Sequence, residues 1–156
     1  MISYLSSEEI IEINKLVLEE TNESHKFILE QPDDLQFILK FVADNFVKNL
    51  YKKSLAYCIS LIVLHPFKNG NHRTSLIAAE RFLLKNNFRD FSSDEGDLIL
   101  QKWRIDYEQK HDLEREFFRI TCVEDTKERI KETIKIMNSE YGKHIEKWLK
   151  NNFSKT

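Results

Sequence analysis

Residues that break regular structure are rare in this sequence. Its 156 residues include only three glycines and two prolines. Folds built from strands need a turn about every 8–12 residues and therefore use many more of both. Long stretches without such breakers favour helices, and the length suits one domain with its own apolar core. We therefore expect a single all-α domain.

Cysteine and surplus charge are also scarce. Cys58 and Cys122 lie far apart, each in an apolar stretch, which predicts two buried, reduced thiols rather than a disulfide or a metal pair. The formal net charge of −2 excludes the strongly basic proteins that bind nucleic acid non-specifically. The longest apolar stretch, residues 55–64, is too short to span a bilayer, and the N-terminus does not resemble a secretory signal. We expect a soluble, cytoplasmic protein with neither nucleic acid nor a membrane as partner.

Apolar residues recur at steps of three and four along most of the chain, as in amphipathic helices. This spacing predicts helices over residues 7–20, 50–64, 73–85 and 127–151. It also predicts a second helix that begins at Asp33 or Asp34 and reaches Phe46. A fifth helix should begin at residues 92–95 and reach Tyr107, and a short sixth should lie at residues 117–120. Residues 25–29 form a short apolar run that predicts an extended β-flap before the second helix. The charged C-terminal helix presents either a solvated face or a contact with a second copy, so a homo-oligomer stays an open alternative.

One loop carries most of the residue types that do chemistry. Residues 65–74 read HPFKNGNHRT, between a helix predicted to end at His65 and one predicted to begin near Arg73. Pro66 disfavours helical geometry at His65. The N–H groups at the start of a helix point out of its end and, with the helix dipole, attract anions. The groups placed to do so here belong to Gly70, Asn71 and His72.

Two charged or titratable side chains complete this pattern. Arg73 can pair with a phosphate through two hydrogen bonds. His65 is a candidate general base, because an unperturbed imidazole has a pKa near neutrality. A base beside a phosphate site is what transfer of a phosphoryl or nucleotidyl group to a hydroxyl requires. From the residues alone, His65 could equally be a helix-terminal residue favoured by the dipole, and Arg73 a surface residue.

The loop resembles the signature of the Fic/Doc (Fido) family, His-x-Phe-x-(Asp/Glu)-Gly-Asn-Gly-Arg-x-x-Arg, in which the second residue is usually Pro. The matching positions are His65, Pro66, Phe67, Gly70, Asn71 and Arg73. The resemblance covers roughly residues 1–125, including an acidic first helix and a hydrophobic helix that leads into the motif. It implies a Fic/Doc-like helical domain over residues 1–125, with residues 126–156 as a C-terminal amphipathic helical extension of the same domain.

The resemblance also implies an activity and a set of site residues. The implied enzyme moves a phosphate-bearing group, phosphoryl or AMP, from a nucleotide such as ATP to a Ser, Thr or Tyr hydroxyl of a target protein. His65 would deprotonate that hydroxyl, and Phe67 would anchor the loop in the core. The implied phosphate ligands are Gly70, Asn71, His72 and Arg73. The implied target-binding flap is Lys26, Phe27 and Ile28, which would dock an extended target segment by strand addition.

Three positions depart from the family pattern. Asn69 replaces the metal-binding carboxylate, so it offers Mg²⁺ an oxygen but no charge, and metal affinity should fall. His72 replaces the second glycine and Leu76 the second arginine, which places the sequence between AMP-transferring members and Doc-type phosphotransferases. One alternative is a degenerate domain that binds a nucleotide or a protein partner as a non-catalytic regulator. Another is a structural subunit held by its C-terminal helix.

Control of such an enzyme is a separate question. The family's built-in inhibitory helix follows the pattern Ser/Thr-x-x-x-Glu-Gly/Asn, and the nearest stretch, residues 75–80, is one residue too long. The resemblance therefore implies control by a separate, antitoxin-like partner.

Overall fold

Eight helices and one short two-stranded sheet make up the computed structural model, which describes residues 1–21 and 27–156. The helices are α1 Ser7–Glu20, α2 Pro32–Asp44, α3 Leu50–Leu64, α4 Asn71–Lys85, α5 Asp94–Lys110, α6 Leu113–Thr121, α7 Thr126–Met137 and α8 Glu140–Asn152. The strands are β1 Phe88–Asp90 and β2 Phe153–Lys155. The predicted all-α class is confirmed, and the bounds of α1 and α3 are those expected from the sequence.

The buried helix α3 lies at the centre of the fold. It contacts α2, α4, α6, α7 and α8, and its residues from Lys53 to Leu64 are all buried. A helix that is apolar on every side must be surrounded by other elements, which explains this position. Its few polar groups are satisfied internally, since the Ser54 hydroxyl donates to the Ala79 carbonyl at 2.9 Å and the Tyr57 hydroxyl accepts from the Leu5 N–H at 3.0 Å.

The buried ammonium group of Lys53 closes the C-terminal end of α2. Its Nζ donates to the carbonyl oxygens of Val42, Ala43 and Asn45 at 2.8, 3.2 and 2.7 Å. The last carbonyls of a helix lack partners within the helix and carry its negative dipole end, so a cation there is favourable. This contact ties α2 to α3.

The second helix begins and ends earlier than the sequence predicted. Its N-cap is Gln31, and Pro32 occupies the first helical position, which leaves Asp33 and Asp34 inside the first turn rather than at the cap. Proline is well suited to that position because its missing N–H would have no helical partner there. The helix stops at Asp44, so the prediction that it reaches Phe46 is wrong; Phe46 has a positive φ of 61°.

The single helix predicted over residues 127–151 is two helices. The chain turns after Met137 and restarts at Glu140, where the Ser139 hydroxyl caps α8 by accepting from the Gly142 N–H. Gly142 makes this corner possible, because a Cβ there would overlap the Met137 carbonyl group. The apolar spacing continues across the corner, which is why the pattern alone did not reveal it.

The C-terminal strand β2 pairs antiparallel with β1, and the sequence did not predict either strand. Phe88 lies opposite Lys155 and Asp90 opposite Phe153. The Phe153 carbonyl also accepts a hydrogen bond from the Tyr51 hydroxyl of α3 at 2.6 Å. Three-residue strands are too short for an alternating pattern to be recognised. The predicted division of the domain at residue 125 stays a prediction.

The two cysteines differ in their surroundings. Cys58 is buried and Cys122 is exposed, and both are free thiols. The prediction of two buried thiols is therefore wrong for Cys122, which follows the last turn of α6 at the surface. Among the helices described, none combines the length and the apolar character needed to cross a membrane.

A pair of carboxyl groups joins α4 to α5. Glu80 of α4 is buried, and Oε2 of Glu80 and Oδ1 of Asp97 in α5 are both buried oxygens without a hydrogen-bond partner among the described residues. Burial, followed by the negative charge of Asp97, raises the pKa of the Glu80 carboxyl from 4.5 to about 9. The folded protein therefore keeps a proton that the unfolded chain releases, so the pair stabilises the fold below pH 4.5 and this contribution is lost as the pH rises towards 9.

The substitution Glu80→Gln should remove this loss of stability at high pH, because a neutral amide replaces the protonated carboxyl group. In Glu80→Gln the amide N–H donates to Asp97 at every pH, so its melting temperature should stay level between about pH 6 and pH 9 while that of the native protein falls. At pH 9 the variant should melt about 2–4 °C higher, the shift expected for one recovered hydrogen bond. Differential scanning calorimetry at several pH values measures this.

The exposed Glu95→Gln in the same helix region is the matched control and should keep the native pH dependence. Parallel curves for the native protein and Glu80→Gln would contradict the shared proton.

Candidate active site

The chain leaves α3 through a left-handed turn at His65. This residue is the C-cap of α3, with φ 48° and ψ 57°, and its N–H donates to the Leu61 carbonyl at 3.1 Å. Pro66 explains the turn, because the ring of a proline crowds the preceding residue out of the helical region. A non-glycine residue with positive φ is uncommon, and such residues concentrate at functional sites. The prediction that the helix ends at His65 is confirmed.

The imidazole of His65 is held in one orientation. Its Nδ1 lies 2.7 Å from the Ile62 carbonyl oxygen. A carbonyl oxygen can only accept, so Nδ1 carries the proton and Nε2 keeps its lone pair. His65 is exposed overall, yet the protein packed around its ring lowers its pKa below 6.5, and the charge of His72 acts in the same direction. The residue is therefore neutral at pH 7, with a free basic nitrogen.

Two hydrogen bonds of the Asn71 side chain fix the loop that follows His65. Its Oδ1 accepts from the Phe67 N–H at 3.2 Å, and its Nδ2 donates to the Phe67 carbonyl at 2.7 Å. Phe67 itself is buried in the core, where the sequence analysis expected it. On the α1 side, the buried Asn14 amide donates to the Asn69 carbonyl at 2.9 Å and to the Thr74 hydroxyl at 3.1 Å. The loop is thus fixed from both sides.

Gly70 sits where only a glycine fits without strain. Its φ is +77°, and a Cβ there would lie 3.2 Å from both Asn14 Nδ2 and Val17 Cγ1. The left-handed backbone and the closeness of α1 both argue against a side chain at this position.

The helix α4 begins at Asn71, two residues earlier than predicted. Gly70 is its N-cap, and no side chain caps this end. Within residues 1–21 and 27–156, the N–H groups of Asn71, His72 and Arg73 find no hydrogen-bond partner. These three groups, together with the positive end of the helix dipole, form a site for an anion.

The guanidinium group of Arg73 lies beside this helix end. Its Nη2 forms an ion pair with Oε2 of Glu20 at the end of α1, at 3.2 Å, and both side chains are exposed. Exposed pairs of this kind contribute at most about 1 kcal/mol, so Arg73 can exchange Glu20 for a phosphate at little cost. No local sequence pattern pointed to Glu20 as a partner of Arg73.

The imidazole of His72 does not point at an anion. Its Nε2 lies 2.8 Å from Oε1 of Glu108 in α5, and its ring centroid is 6.3 Å from that of His65 in an edge-to-face arrangement. Oε2 of Glu108 accepts from the Tyr141 hydroxyl at 2.7 Å. The backbone N–H of His72 therefore remains available to a phosphate, as predicted for this residue. Its side chain instead links the start of α4 to Glu108 of α5 and lies next to His65.

A fully buried arginine completes this polar network. Arg104 donates to the Tyr141 hydroxyl at 3.1 Å, to the Ser75 hydroxyl at 2.9 Å and to the His72 carbonyl at 3.2 Å. Although burial opposes ionisation of Glu108, its contacts with His72, Tyr141 and Arg104 leave its pKa below 4.5. A buried arginine requires such a counter-charge, so α5 and α8 fix the first turn of α4 electrostatically.

Cavities reach the loop from two sides. His72 and Arg73 line a cavity of about 370 Å³ between α4 and α5, which also has apolar walls formed by Leu76, Ile77, Leu98 and Ile105. His65 lines a different cavity of about 570 Å³ on the α6 side. The candidate base and the candidate phosphate ligands thus face neighbouring but distinct spaces.

The predicted flap lies beside the loop where the structure describes it. Lys26 falls outside the described residues. Phe27 is half-buried, with its ring centroid 5.9 Å from that of Phe67, while Ile28 is exposed. The Ile28 carbonyl accepts from the Lys68 N–H at 3.0 Å, next to a single antiparallel bridge between Leu29 and Phe67. A hairpin would need residues 22–26, which also lie outside the described part of the chain.

The donors at Asn69 do not form a metal site of their own. Its amide oxygen is neutral, and across the described residues no cluster of three or more His, Cys, Asp or Glu side chains could hold a metal ion. Mg²⁺ prefers carboxylate oxygens and the phosphates of a substrate. This donor set does not fit a metal ion held by the protein alone.

The loop lies within a region of the chain that matches a known protein family. A model of the Fic/DOC family matches residues 4–83, which is just over half of the 156 residues. The chain belongs to the Fic/DOC family. The family match contains α1, the flap segment, the loop and most of α4, and it ends before α5. No curated protein and no solved structure matches the chain.

The part of the site beyond the Fic/DOC match was missed by sequence reasoning. Arg104, Glu108 and Tyr141 come from α5 and α8, far from the loop in sequence. Arg104 lies in a helix with three charged residues in its first turn, and the sequence around it is typical of a solvent-exposed helix. The aromatic residues Trp103, Tyr107 and Tyr141, which stack on one another, were the only signal that this helix packs against α8.

Substituting Gly70 tests the geometry of the Fic/DOC loop. Gly70→Ala should lower the free energy of unfolding by about 1–2 kcal/mol, because alanine is strained at positive φ and its Cβ would crowd Asn14 and Val17. Gly96→Ala, which meets only the Ser93 hydroxyl and has no positive φ, should be neutral or slightly stabilising. Urea denaturation of both variants measures the difference, and equal stabilities would contradict the left-handed turn at Gly70.

Proposed function

We propose that this Fic/DOC domain transfers a phosphate-bearing group, phosphoryl or AMP, from a nucleotide to a Ser, Thr or Tyr hydroxyl of a target protein. The observation that carries the proposal is the arrangement of His65 and α4. A neutral imidazole with a free Nε2 lies one loop away from three unpartnered N–H groups and an arginine. Base and anion site are the two parts that such a transfer needs.

The reaction proposed uses the residues of this chain as follows. Nε2 of His65 takes the proton of the target hydroxyl while the hydroxyl oxygen forms a bond to phosphorus. The bond from phosphorus to the leaving phosphate oxygen breaks, which releases pyrophosphate for AMP transfer or the nucleoside diphosphate for phosphoryl transfer. The N–H groups of Asn71, His72 and Arg73 and the Arg73 guanidinium hold the phosphate oxygens.

The nucleoside end of the donor has a candidate space beside these groups. The cavity of about 370 Å³ starts at His72 and Arg73 and continues along α4 and α5. Its apolar walls suit a flat base, and the carboxylates of Asp94 and Asp97 in the same lining can accept hydrogen bonds from a base or a ribose. This arrangement supports a nucleotide as the donor, and it leaves the base undetermined.

A second candidate function is a regulatory module that binds a nucleotide or a partner without catalysis. The neutral amide at Asn69 favours it, because a carboxylate at that position would hold Mg²⁺ and the substrate phosphates more strongly. Binding of ATP without transfer, measured by calorimetry, would support this candidate.

Removing the base distinguishes the two functions. The native protein is incubated with cell extract and with ATP labelled at either its α or its γ phosphate. His65→Ala should lower protein labelling by about two to four orders of magnitude, the usual contribution of a general base. The exposed His144, which stacks on Trp103 away from the loop, provides the control, and His144→Ala should label at the native rate. Equal labelling by native protein and His65→Ala would remove His65 from the mechanism.

The pH dependence of transfer follows from the lowered pKa of His65. The base is active only when neutral, so the rate should fall on the acidic side with a midpoint below pH 6.5. Initial labelling rates from pH 5 to pH 8 measure the midpoint. A midpoint above 6.5 would mean that the imidazole is stabilised as a cation and would contradict the proposed role.

A further inference from the structure

A groove runs past His65 on the side away from α4. The cavity of about 570 Å³ and a second one of about 250 Å³ share His65, Phe118 and Thr121 as lining residues. One wall is α6, and the other is the chain from Glu30 to Asp34. We call this space the acceptor groove. No residue of α4 lines it, so it is separate from the cavity beside Arg73.

The charge of the acceptor groove is negative. Among the described residues, its lining includes the carboxylates of Glu30, Asp34, Asp112 and Glu114 and the single cation Arg115. Two of these carboxylates are compensated, since Asp34 pairs with Arg129 at 2.8 Å and Asp112 with Arg115 at 3.2 Å. Such a surface repels nucleotide phosphates and attracts ammonium and guanidinium groups.

Glu114 is the carboxylate best placed to act on a bound segment. It is exposed at the start of α6 and makes no ion pair within the described residues. Its charge reaches His65, where it partly offsets the lowering of the imidazole pKa by burial. Because His65 and Glu114 line the same cavity, a cation drawn to Glu114 would share that space with the imidazole.

An apolar contact lies in the same groove. Phe118 is 70% exposed on the outer face of α6 and lines both cavities. A large exposed aromatic side chain in a groove is a common contact for a partner protein. Beyond it, the exposed Ile28 lies on the flap segment beside the loop.

We propose that the acceptor groove binds an extended segment of the target protein that carries a basic residue near the modified hydroxyl and an apolar residue against Phe118. The segment places its hydroxyl at His65, opposite the nucleotide. This inference rests on the proposed function and names the chemistry of the target. The acidic lining selects basic segments.

Peptide binding tests the proposal without requiring catalysis. The probe is a library of nine-residue peptides with Ser, Thr or Tyr at the centre and random flanks, presented to the nucleotide-free native protein. Bound peptides should be enriched in Lys and Arg and depleted of Asp and Glu. A selected peptide should bind about five- to tenfold more tightly than its Glu-substituted version by fluorescence anisotropy, the effect of a few partly exposed ion pairs.

Variants of the groove give the matched comparison. Glu114→Lys should abolish or reverse the preference for basic peptides, and Phe118→Ser should weaken binding to all of them. Glu124→Lys, an exposed charge reversal just after α6 that does not line the groove, should leave the preference unchanged. No binding by any peptide, no basic enrichment, or an unchanged preference in Glu114→Lys would overturn the proposal.

Failure of the groove is distinguishable from failure of the proposed function. Basic peptides that bind in a Glu114-dependent way, without labelling of any protein from ATP, would support the groove proposal and contradict the transferase proposal. If His65-dependent labelling occurs in extracts and Glu114→Lys labels the same proteins at the same rates, the transferase stands and the groove proposal falls.

Discussion

The left-handed turn at His65 decides where every group of the candidate site lies. A buried helix leads into it, and Pro66 prevents that helix from continuing. The turn brings Nδ1 of His65 back onto the Ile62 carbonyl, which fixes the ring and leaves Nε2 free. It also aims the chain at the start of α4, where the Asn71 amide closes the loop onto Phe67. The positions of the candidate base and of the free N–H groups of α4 therefore depend on the turn at His65 and on the two hydrogen bonds of the Asn71 side chain.

The loop is flanked on two faces by different cavities. On one face, α4 and α5 enclose a cavity beside Arg73, and the buried Arg104–Tyr141–Glu108 network keeps His72 in place. On the other face, α6 and the flap segment enclose an acidic groove beside His65. Arg73 and the free N–H groups of α4 lie on the first face and carboxylates on the second, which suits the two substrates of the proposed reaction, a nucleotide and a protein segment. The Fic/DOC match contains the loop, whereas α5 to α8 lie beyond it and supply the walls.

Much of this arrangement could be read from the sequence, and the failures have physical causes. The bounds of α3 and its end at His65 follow from apolar spacing and from Pro66, which act locally, whereas the burial of Phe67 was expected from the family resemblance. The corner at Gly142 was missed because apolar spacing continues across it, and the strand at Phe153 because three residues carry no period. Partners such as Glu108 for His72 come from packing across many residues, which no local pattern records.

The tautomer and charge of His65 are the most direct test of this account. Nitrogen-15 NMR of labelled protein, with the signals of His65 assigned by comparison with His65→Ala, reports which ring nitrogen holds the proton as the pH is varied. The account predicts a neutral ring at pH 7 that is protonated at Nδ1, with a pKa below 6.5. A neutral ring protonated at Nε2, or a ring that is still a cation at pH 7, would contradict it, since neither leaves a free basic nitrogen for the target hydroxyl.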